Sequence, residues 1–541
     1  MMATNLPPSP VETPALKEIL HALHQPACYP HHPDRVEMVQ THISAVFLAD
    51  EEVYKLKKPV RFSFVDYSTL ALRQQYCHEE VRLNHRLAPT VYLGVVPLLR
   101  VGHEYHLREV VNLRDATIVE YLVRMRRLPP ERTLAALLAA GQVTKTNVHA
   151  LAKRLVHFHN TAATTDAALY GAPETVWQAV AENFQDTACF VGQTISEKQY
   201  TRIQEFSHSF FQEHQALLRQ RIQQNRVREG HGDLRCDHVY FLDQGISIID
   251  CIEFSPRLRT CDVASELAFL AMDLDLHGAP DLAAELLSAY VAQADDPALF
   301  VLLPFYQCYR AYVRGKVESL KSQESEVTAE DREQARHHAQ RSFRLAARYA
   351  RGTLSPTLIV VCGRVGTGKS TVAQRLSAQT GFISINSDVI RKRLAGILPT
   401  ARVEAAYGSH IYSQEFSQRT YATLVAQTEE ELRAGRGVIV DATCKRQEDR
   451  HALLALGQRQ QVPVLFLECQ TSLVEVERRL RARARRGDSV SDATWELARR
   501  EYETFPPFDD IPARCHVILD TEHNIDEALE AVAERIAAGK H

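Results

Sequence analysis

The feature that most constrains this chain is the octapeptide GRVGTGKS, which runs from Gly363 to Ser370. It follows the apolar run TLIVVC, typical of a buried strand, and leads into KSTVAQRLSAQ, which is typical of a helix. Glycines in such a turn let backbone N–H groups point inward around a phosphate, and the helix N-terminus that follows favours negative charge. The sequence therefore predicts a phosphate-binding loop (P-loop) that binds a nucleotide, which we expect to be ATP.

The residues of this loop have separate expected roles. Lys369 would bring positive charge to the β- and γ-phosphates and so act in catalysis, and the Ser370 hydroxyl would bind Mg²⁺. The cofactor-binding residues predicted from the loop are Gly363, Arg364, Val365, Gly366, Thr367, Gly368, Lys369, Ser370 and Thr371.

Apolar runs and helical patterns alternate after the loop. The apolar runs are FISINS, GVIVDAT, VPVLFLEC and CHVILD, and segments of helical periodicity separate them. Continuous apolar strands joined by helices predict an α/β fold with a parallel sheet covered by helices on both faces. We place this domain at residues 357–541, after a linker at 351–356 that contains Gly352 and Pro356.

Further charged residues follow two of these predicted strands. Asp388, in SINSDVIRKRL, could orient and deprotonate an acceptor hydroxyl, and Arg391 could bind an anionic group of the substrate. Asp441, at the end of GVIVDAT, is placed to act on Mg²⁺ through water. A simpler interpretation stays open, in which Asp388 and Asp441 cap helices and Arg391 is a solvated side chain.

An arginine-rich segment, RRLRARARRGDSVSDA, lies further on. We expect Arg479 and Arg483 to neutralise charge on a transferred phosphate, and the other arginines to form a solvated face. Together with GRVGTGKS, SDVIRK and VIVDAT, this segment resembles the small P-loop kinases of the zeta-toxin, gluconate-kinase and polynucleotide-kinase group. The resemblance implies ATP-dependent phosphorylation of a hydroxyl.

The first half of the chain contains HGDLRCDHVYFLDQGISIID, from His231 to Asp250. This segment resembles the catalytic loop of the aminoglycoside phosphotransferases, which have a protein-kinase-like fold. The resemblance implies that Asp233 is the catalytic base and that Asp250 binds the metal. His238 stands where the family has a metal-binding asparagine. Because Mg²⁺ favours oxygen ligands, His238 either contributes little to metal binding or orients a phosphate.

The same resemblance includes VYKLKKP and CHEEVRLNHRLAP, and it covers roughly residues 35–320. It implies that Lys55 binds the α- and β-phosphates of ATP and pairs with Glu80. Lys57 would share the face of the strand with Lys55 and is the alternative. Glu253 follows closely after Asp250 and is a candidate for binding the substrate.

A chain of 541 residues is too long for one hydrophobic core. We expect a flexible lead-in at 1–34, a kinase-like domain at 35–350, the linker, and the P-loop domain. The N-lobe of the kinase-like domain would span 35–112 and its C-lobe 113–350. This order resembles a bacterial family in which an aminoglycoside-phosphotransferase-like domain is fused to a P-loop kinase-like domain.

Composition limits the kinds of binding partner and the cellular compartment that we expect. The formal net charge of −4 favours neither a nucleic acid nor an anionic membrane as partner, although a local basic patch stays compatible with one. No apolar run reaches the roughly 18 residues that span a bilayer, and the N-terminus lacks a signal-peptide core. The eleven cysteines are scattered singly, as expected of reduced thiols in the cytoplasm.

Three functions fit these patterns. The first is a phosphotransferase with two kinase-like domains, each using ATP and Mg²⁺ to phosphorylate a hydroxyl of a sugar, sugar acid, aminoglycoside-like compound or nucleoside. The second is a kinase for the 5′-hydroxyl ends of polynucleotides, which predicts binding that depends strongly on salt. The third is a pseudokinase that regulates the P-loop domain, and it is suggested by His238.

Overall fold

The structure is a computed structural model that describes residues 15–62, 65–108, 116–324, 327–352, 354–397, 410–486, 495–523 and 525–537. Within these ranges the side chains of residues 410, 483–486, 496, 497, 500, 501, 503 and 526 are not described. The chain divides into a first unit, Met1–Phe190 with Ser207–Val317, and a second unit, Val191–Phe206 with Glu318–His541. This division groups residues 318–350 with the P-loop, whereas the sequence pattern groups them with the first domain. The predicted domain limits stay a prediction.

Within the described residues, the first unit contains twelve strands and most of the helices of the first half of the chain. Its strands are β1 (Val36–Gln40), β2 (Ser44–Ala49), β3 (Glu52–Lys57), β4 (Arg61–Phe62), β5 (Val65–Asp66), β6 (Tyr92–Val101), β7 (Glu104–Leu107), β8 (Thr117–Arg126), β9 (Val227–Glu229), β10 (Val239–Leu242), β11 (Gly245–Ile248) and β12 (Thr260–Asp262). The α-helices of the chain as far as Lys321 are α1 (Leu16–Leu23), α2 (Leu70–Asn84), α3 (Leu134–Ala139), α4 (Lys145–Thr161), α5 (Ala167–Tyr170), α6 (Pro173–Thr187), α7 (Glu197–Gln223), α8 (Pro256–Arg259), α9 (Val263–Leu276), α10 (Pro280–Ala294) and α11 (Leu299–Lys321). The division between the units falls within α7 and α11.

A six-stranded antiparallel sheet in the order β1-β2-β3-β8-β6-β7 positions the lysines of β3. Side chains alternate along a strand, so Tyr54 and Leu56 pack into one buried cluster while Val53 packs into another with Cys77 of α2. Lys55 and Lys57 share the face of Val53 and therefore point towards α2. That helix begins where the Thr69 hydroxyl accepts a hydrogen bond from the Leu72 N–H at 3.2 Å.

A short hairpin forms the second half of the segment from His231 to Asp250 (the HGDL segment). Strands β10 and β11 pair from Val239 opposite Ile248 to Leu242 opposite Gly245, with Asp243 and Gln244 between them. A two-residue connection of this kind is typical of a tight hairpin turn. The strand β11 ends just before Asp250, which has a positive φ of 66°.

The second unit is built on a five-stranded sheet in the order β14-β15-β13-β16-β17. All four of its strand pairs are parallel, which confirms the predicted parallel sheet. Its strands are β13 (Leu358–Cys362), β14 (Ile383–Asn386), β15 (Val438–Asp441), β16 (Val464–Gln470) and β17 (His516–Asp520). Its helices are α12 (Ala329–Arg351), α13 (Lys369–Thr380), α14 (Ser387–Leu394), α15 (Gln414–Arg433), α16 (Gln447–Gln460), α17 (Leu473–Arg486), α18 (Trp495–Thr504) and α19 (Ile525–Ala537).

Both faces of this sheet are covered by helices, as the sequence predicts. Alternate residues of β13 belong to two different cores: Leu358 and Val360 pack with Leu424 of α15 and residues of α16, and Ile359 packs with residues of α13 and α19. Every residue of β13 is buried, which is why the strand reads as a continuous apolar run. The carboxyl ends of the parallel strands of this sheet meet at one edge, where the P-loop lies. None of the described helices has the length and apolar character needed to cross a membrane.

Candidate active sites

The P-loop connects β13 to α13 through three glycines with positive φ. These are Gly363 at 124°, Gly366 at 80° and Gly368 at 91°, and a β-carbon on Gly363 would lie 2.6 Å from the Cys469 carbonyl oxygen. Only glycine adopts this backbone without strain, which is the physical reason for the motif. Residues Arg364, Val365 and Thr367 complete the turn between these glycines.

The Lys369 ammonium group lies across the loop and donates a hydrogen bond to the Arg364 carbonyl oxygen at 2.7 Å. The Thr367 hydroxyl donates to the same oxygen at 2.8 Å. Ser370 and Thr371 follow at the first turn of α13 and are exposed. The loop thus presents backbone N–H groups, one lysine and one exposed hydroxyl at a helix N-terminus, which is the chemistry required to hold a nucleotide phosphate.

Asp441 lies at the end of β15, opposite Val361 of β13, and is buried. Its Oδ2 accepts a hydrogen bond from the Asn386 amide at 2.6 Å. A carboxylate at this position and the hydroxyl of Ser370 are hard oxygen donors, so they fit a Mg²⁺ ion. Asn386 is not among the site residues predicted from the sequence, although its place between a strand and a helix is a recognisable signal.

Asn386, and not Asp388, caps α14. Its Oδ1 accepts hydrogen bonds from the N–H groups of Asp388 at 2.8 Å and Val389 at 3.0 Å. The alternative in which the Asp388 side chain is the cap is therefore wrong. The Asp388 side chain is half-buried in the first turn of the helix, and its role towards a substrate stays a prediction.

The Arg391 side chain is buried, so the interpretation of Arg391 as a solvated residue is also wrong. Its guanidinium donates to the Ile411 carbonyl oxygen at 2.8 Å and the Ser417 hydroxyl at 3.1 Å, and it lies over the Tyr412 ring at 5.1 Å. These contacts tie α14 to the start of α15. Binding of an anionic substrate by Arg391 stays a prediction.

Arg479 of α17 lies against the P-loop. Its Nη1 would be 3.0 Å from a β-carbon on Gly368, and its guanidinium donates to the Thr521 hydroxyl at 3.0 Å and carbonyl oxygen at 2.6 Å. The Thr521 hydroxyl in turn donates to the Thr367 carbonyl oxygen at 2.6 Å. Thr521 is not among the predicted site residues, because no local pattern distinguishes it from other loop threonines. The Arg483 side chain lies outside the part of the chain that is described.

In the first unit, three charged groups from distant segments meet at β3. The Lys55 ammonium is 2.7 Å from Asp250 Oδ1 and 2.9 Å from Glu80 Oε1. Burial acts to lower the pKa of Lys55, but Asp250 and Glu80 outweigh it and raise that pKa well above its usual value. Lys55 in turn holds the pKa of Asp250 well below its usual range. The structure thus brings the expected pair, Lys55 and Glu80, together with Asp250, which was expected to bind the metal.

Lys57 contacts the same glutamate from inside the protein. Its ammonium is fully buried, 2.7 Å from Glu80 Oε2, and forms an ion pair with Glu253. The Tyr67 hydroxyl donates to Glu253 at 2.5 Å. Glu253 is therefore engaged in an internal network, and its proposed contact with a substrate stays a prediction. Glu80 is held by a lysine on each of its carboxylate oxygens.

Glu266 of α9 anchors the loop formed by residues 231–234 (the HGDL loop). One oxygen of this buried carboxylate accepts hydrogen bonds from the N–H groups of His231 and Gly232, both at 2.6 Å, and the other is 2.9 Å from His159 Nε2. A β-carbon at Gly230 would collide with this carboxylate at 2.3 Å, so the close approach requires glycine there. The anchor fixes the backbone that carries Asp233.

Asp233 is paired with Arg235, which is not among the site residues predicted from the sequence. The guanidinium Nε lies 3.1 Å from both carboxylate oxygens, and Nη2 lies 3.1 Å from Oδ2. Burial acts to raise the pKa of Asp233, but Arg235 outweighs it and lowers that pKa to about 2. His238 Nδ1 is 2.8 Å from the Asp233 carbonyl oxygen, and its Nε2 is 3.7 Å from Asp250 Oδ2. Asp233, His238 and Asp250 therefore line one site.

The comparisons with known proteins agree with the architecture of the second unit. Residues 358–505 match the family model AAA_33, described as an AAA domain. With the parallel sheet and the P-loop, this match defines the class of the segment as a P-loop nucleotide-binding domain. An uncharacterized protein of Mycobacterium tuberculosis and one of Mycobacterium bovis are each 29% identical over 470 residues, which is 86% of this chain and 89% of each relative.

Solved structures resemble the chain over about a third of its length. A gluconokinase from Sinorhizobium meliloti is 19% identical, with 34% of this chain and 96% of that chain covered at a TM-score of 0.26. The APS kinase of Mycobacterium tuberculosis, solved with AMPPNP and APS, is 20% identical, with 34% and 97% covered at a TM-score of 0.24. At these TM-scores the likenesses add nothing to what the sheet topology shows.

Proposed function

We propose that the protein is an ATP-dependent phosphotransferase with two kinase-like units, each of which transfers the γ-phosphate of ATP to a hydroxyl of a small molecule. The observation that carries the proposal is the meeting of Lys55, Glu80 and Asp250, which come from a strand, a helix and a loop far apart in the sequence. A lysine held by two carboxylates is suited to binding the phosphates of a nucleotide. The P-loop of the second unit supplies a separate nucleotide site.

The chemistry of the first unit follows from the charges around Asp233. With a pKa of about 2, this carboxylate is ionised at neutral pH and can accept a hydrogen bond that orients an acceptor hydroxyl. A base this weak takes the proton only as the bond to phosphorus forms. Apolar side chains that are only partly buried, Val46, Leu48, Leu128 and Ile249, border the same cluster as Val53 and offer a surface for a base. Asp250 is the oxygen donor that would hold Mg²⁺. When bound, Mg²⁺ offsets the charge that develops on the phosphate oxygens.

The chemistry of the second unit depends on the P-loop. Lys369 and the backbone N–H groups would hold the β- and γ-phosphates, and Ser370 and Asp441 would hold Mg²⁺. Arg479 lies beside Gly368 and could add positive charge as the phosphate is transferred. Asp388 would orient the acceptor hydroxyl. Suitable acceptors are sugars, sugar acids, aminoglycoside-like compounds and nucleosides.

The test is transfer of the labelled γ-phosphate of ATP to a panel of such compounds and to single-stranded oligonucleotides, using the full-length chain. We compare Asp233→Asn with Lys369→Ala, and use Asp243→Asn and Lys321→Ala as matched controls at exposed positions. Each of the first two changes is expected to abolish transfer to a different acceptor, and the controls to leave both intact. If Lys369→Ala alone abolished all transfer, the proposal of two active units would be wrong.

A second candidate function, a pseudokinase that regulates the P-loop unit, is favoured by the contact of Arg235 Nη2 with His238 Nε2 at 3.0 Å. This contact engages the atom of His238 that would otherwise face a metal. Under this alternative Asp233→Asn leaves all phosphate transfer unchanged, while Lys55→Ala changes the rate of the second unit. The same set of variants therefore separates the two functions.

A further inference from the structure

The protonation of His238 follows from its two neighbours. The Asp233 carbonyl oxygen can only accept, so His238 Nδ1, 2.8 Å away, carries the proton and donates it. The other ring nitrogen, Nε2, then has a single lone pair. Arg235 has no acceptor group, so its Nη2, 3.0 Å from Nε2, donates to that lone pair.

The place beside His238 and Asp250 is therefore occupied by a fixed positive charge. Asp250 Oδ2 is 3.7 Å from Nε2, a separation that a metal ion could bridge, but the only lone pair of Nε2 is engaged by the guanidinium. Arg235 is itself held by three contacts to the Asp233 carboxylate and is largely buried. A metal could reach His238 Nε2 only if Arg235 Nη2 moved away from it.

The same guanidinium keeps one nitrogen available for a ligand. Among the described residues, Arg235 Nη1 makes only a 3.6 Å ion pair with Asp237, whose side chain is 61% exposed. That distance is too long for a hydrogen bond. The two N–H groups of Nη1 can therefore donate to phosphate oxygens, for which the planar guanidinium is well suited.

We propose that the first unit binds its nucleotide with a single divalent ion, held by Asp250, and that the Arg235 guanidinium takes the place of a second ion. This inference rests on the proposed function of the first unit. In the reaction, a bond forms between the acceptor oxygen and the γ-phosphorus, and the bond from that phosphorus to the β–γ bridging oxygen breaks. The hydroxyl proton passes to Asp233, ADP leaves, and Arg235 Nη1 donates to an oxygen of the transferred group.

The test counts Mn²⁺ ions bound with a non-hydrolysable ATP analogue, by electron paramagnetic resonance of the free ion. Lys369→Ala disables the P-loop site, and the count for this variant minus that for Lys369→Ala with Asp250→Asn belongs to the first unit. The expected difference is one ion. A difference of two would overturn the inference and leave the proposed function standing, whereas a difference of zero would overturn both. Lys369→Ala leaves the residues of the first unit unaltered, so the number of Mn²⁺ ions bound by this variant includes those at the native site of the first unit.

The second and sharper part of the test looks for an increase in the number of Mn²⁺ ions bound. Arg235→Met combined with His238→Asn, both in the Lys369→Ala background, removes the guanidinium and introduces an amide oxygen next to Asp250. This chain is expected to bind one Mn²⁺ more than its parent, while Arg219→Met, at an exposed position on α7, binds the same number as its parent. A count unchanged by the double substitution, in protein that keeps its nucleotide affinity, would contradict the assignment of this place to Arg235.

Discussion

Single charged residues in the interior of the first unit are held by several partners each, and Glu266 is the clearest case. Its carboxylate is 2% exposed and accepts three hydrogen bonds, two from the backbone of the HGDL loop and one from His159. Burial acts to raise the pKa of Glu266, but the hydrogen bond from His159 and the other partners outweigh it and lower that pKa to about 2. The charged form is therefore favoured by the folded state.

The first prediction concerns the acid stability of this unit. Because the folded pKa of Glu266 lies below its usual value of 4.5, its contribution is complete above about pH 5 and is lost as the pH falls towards 2. Glu266→Ala should lower the free energy of unfolding at pH 7 by about 3 kcal/mol, since three donors lose their acceptor. Glu266→Gln keeps the shape and should cost less, with a weaker dependence on pH between 5 and 2. Urea unfolding across this pH range checks both, and an unchanged pH profile for Glu266→Gln would contradict it.

The second prediction concerns the fully buried Lys57. Lys57→Met should lower the free energy of unfolding by roughly 3–5 kcal/mol, because it leaves Glu253 and one oxygen of Glu80 buried without their cation. Adding Glu253→Gln removes the carboxylate charge that Lys57→Met leaves without a cation and should recover part of this loss. Urea denaturation of the single and double variants measures the recovery. A double variant no more stable than Lys57→Met would show that the Glu253 charge is not what the lysine offsets.

At the scale of elements, α14 and β15 are coupled through one side chain. Asn386 ends β14, caps α14 with its oxygen and donates its amide to Asp441 at the end of β15. A strand-to-helix turn thus sets the orientation of a buried carboxylate beside the P-loop. The cap and the orientation of Asp441 are two functions of one amide, and substitutions can separate them.

The third prediction makes this separation. Asn386→Ala removes both contacts and should destabilise the second unit by about 1–2 kcal/mol, whereas Asn386→Ser keeps a capping oxygen and should cost clearly less. Both should weaken binding of the metal–nucleotide complex, because both leave Asp441 without its donor. Urea unfolding measures the first effect and titration with Mg²⁺ and a nucleotide analogue the second. If Asn386→Ser bound the complex as tightly as the parent protein, Asn386 would act as a helix cap alone.

At the scale of the whole molecule, the two units do not follow the order of the sequence. Residues Val191–Phe206 come from the first half of the chain but belong to the second unit. Arg202 donates to Glu530 at 3.0 Å and to Glu534 at 2.6 Å, both on α19, and the Thr194 and Ser319 hydroxyls are 2.7 Å apart. The P-loop unit is therefore completed by a segment more than 150 residues upstream of its first strand.

The fourth prediction tests this organisation. Arg202→Ala should lower the stability of the second unit by about 1 kcal/mol, since its partner Glu530 is 5% exposed and loses a charged donor. Arg219→Ala, on the same helix α7 but in the first unit and exposed, should leave it unchanged. Calorimetry of the parent chain and of Lys369→Ala, each with a nucleotide analogue, identifies the transition that belongs to the P-loop unit, because only that transition loses its stabilisation in the variant. A shift of that transition by Arg219→Ala and not by Arg202→Ala would contradict the assignment of this segment.

Local patterns were enough to predict the core of the second unit. The strands β13 to β17 lie where continuous apolar runs predict them, and the P-loop glycines have the positive φ values that explain the motif. The turn at Asp243 and the cap at Thr328, which accepts from the Asp331 N–H at 3.1 Å, likewise involve residues that are close in the sequence. Each of these signals depends on residues within a few positions of one another, so the sequence alone contains it.

Contacts between distant segments were not accessible in the same way. Patterns and a family resemblance identified Lys55, Glu80, Asp233 and Asp250, but only the fold brings a strand, a helix and a loop to one place. No distinctive local pattern marks Arg235 or Thr521. Lys57 and Asn386 occupy recognisable positions, but their partners Glu80, Glu253 and Asp441 lie far away in the sequence. The sequence by itself therefore determined the P-loop and the parallel sheet, because local spacing specifies both. The tertiary structure decided which charges meet, because burial pairs each charged group with whichever partner the packing brings within hydrogen-bond distance.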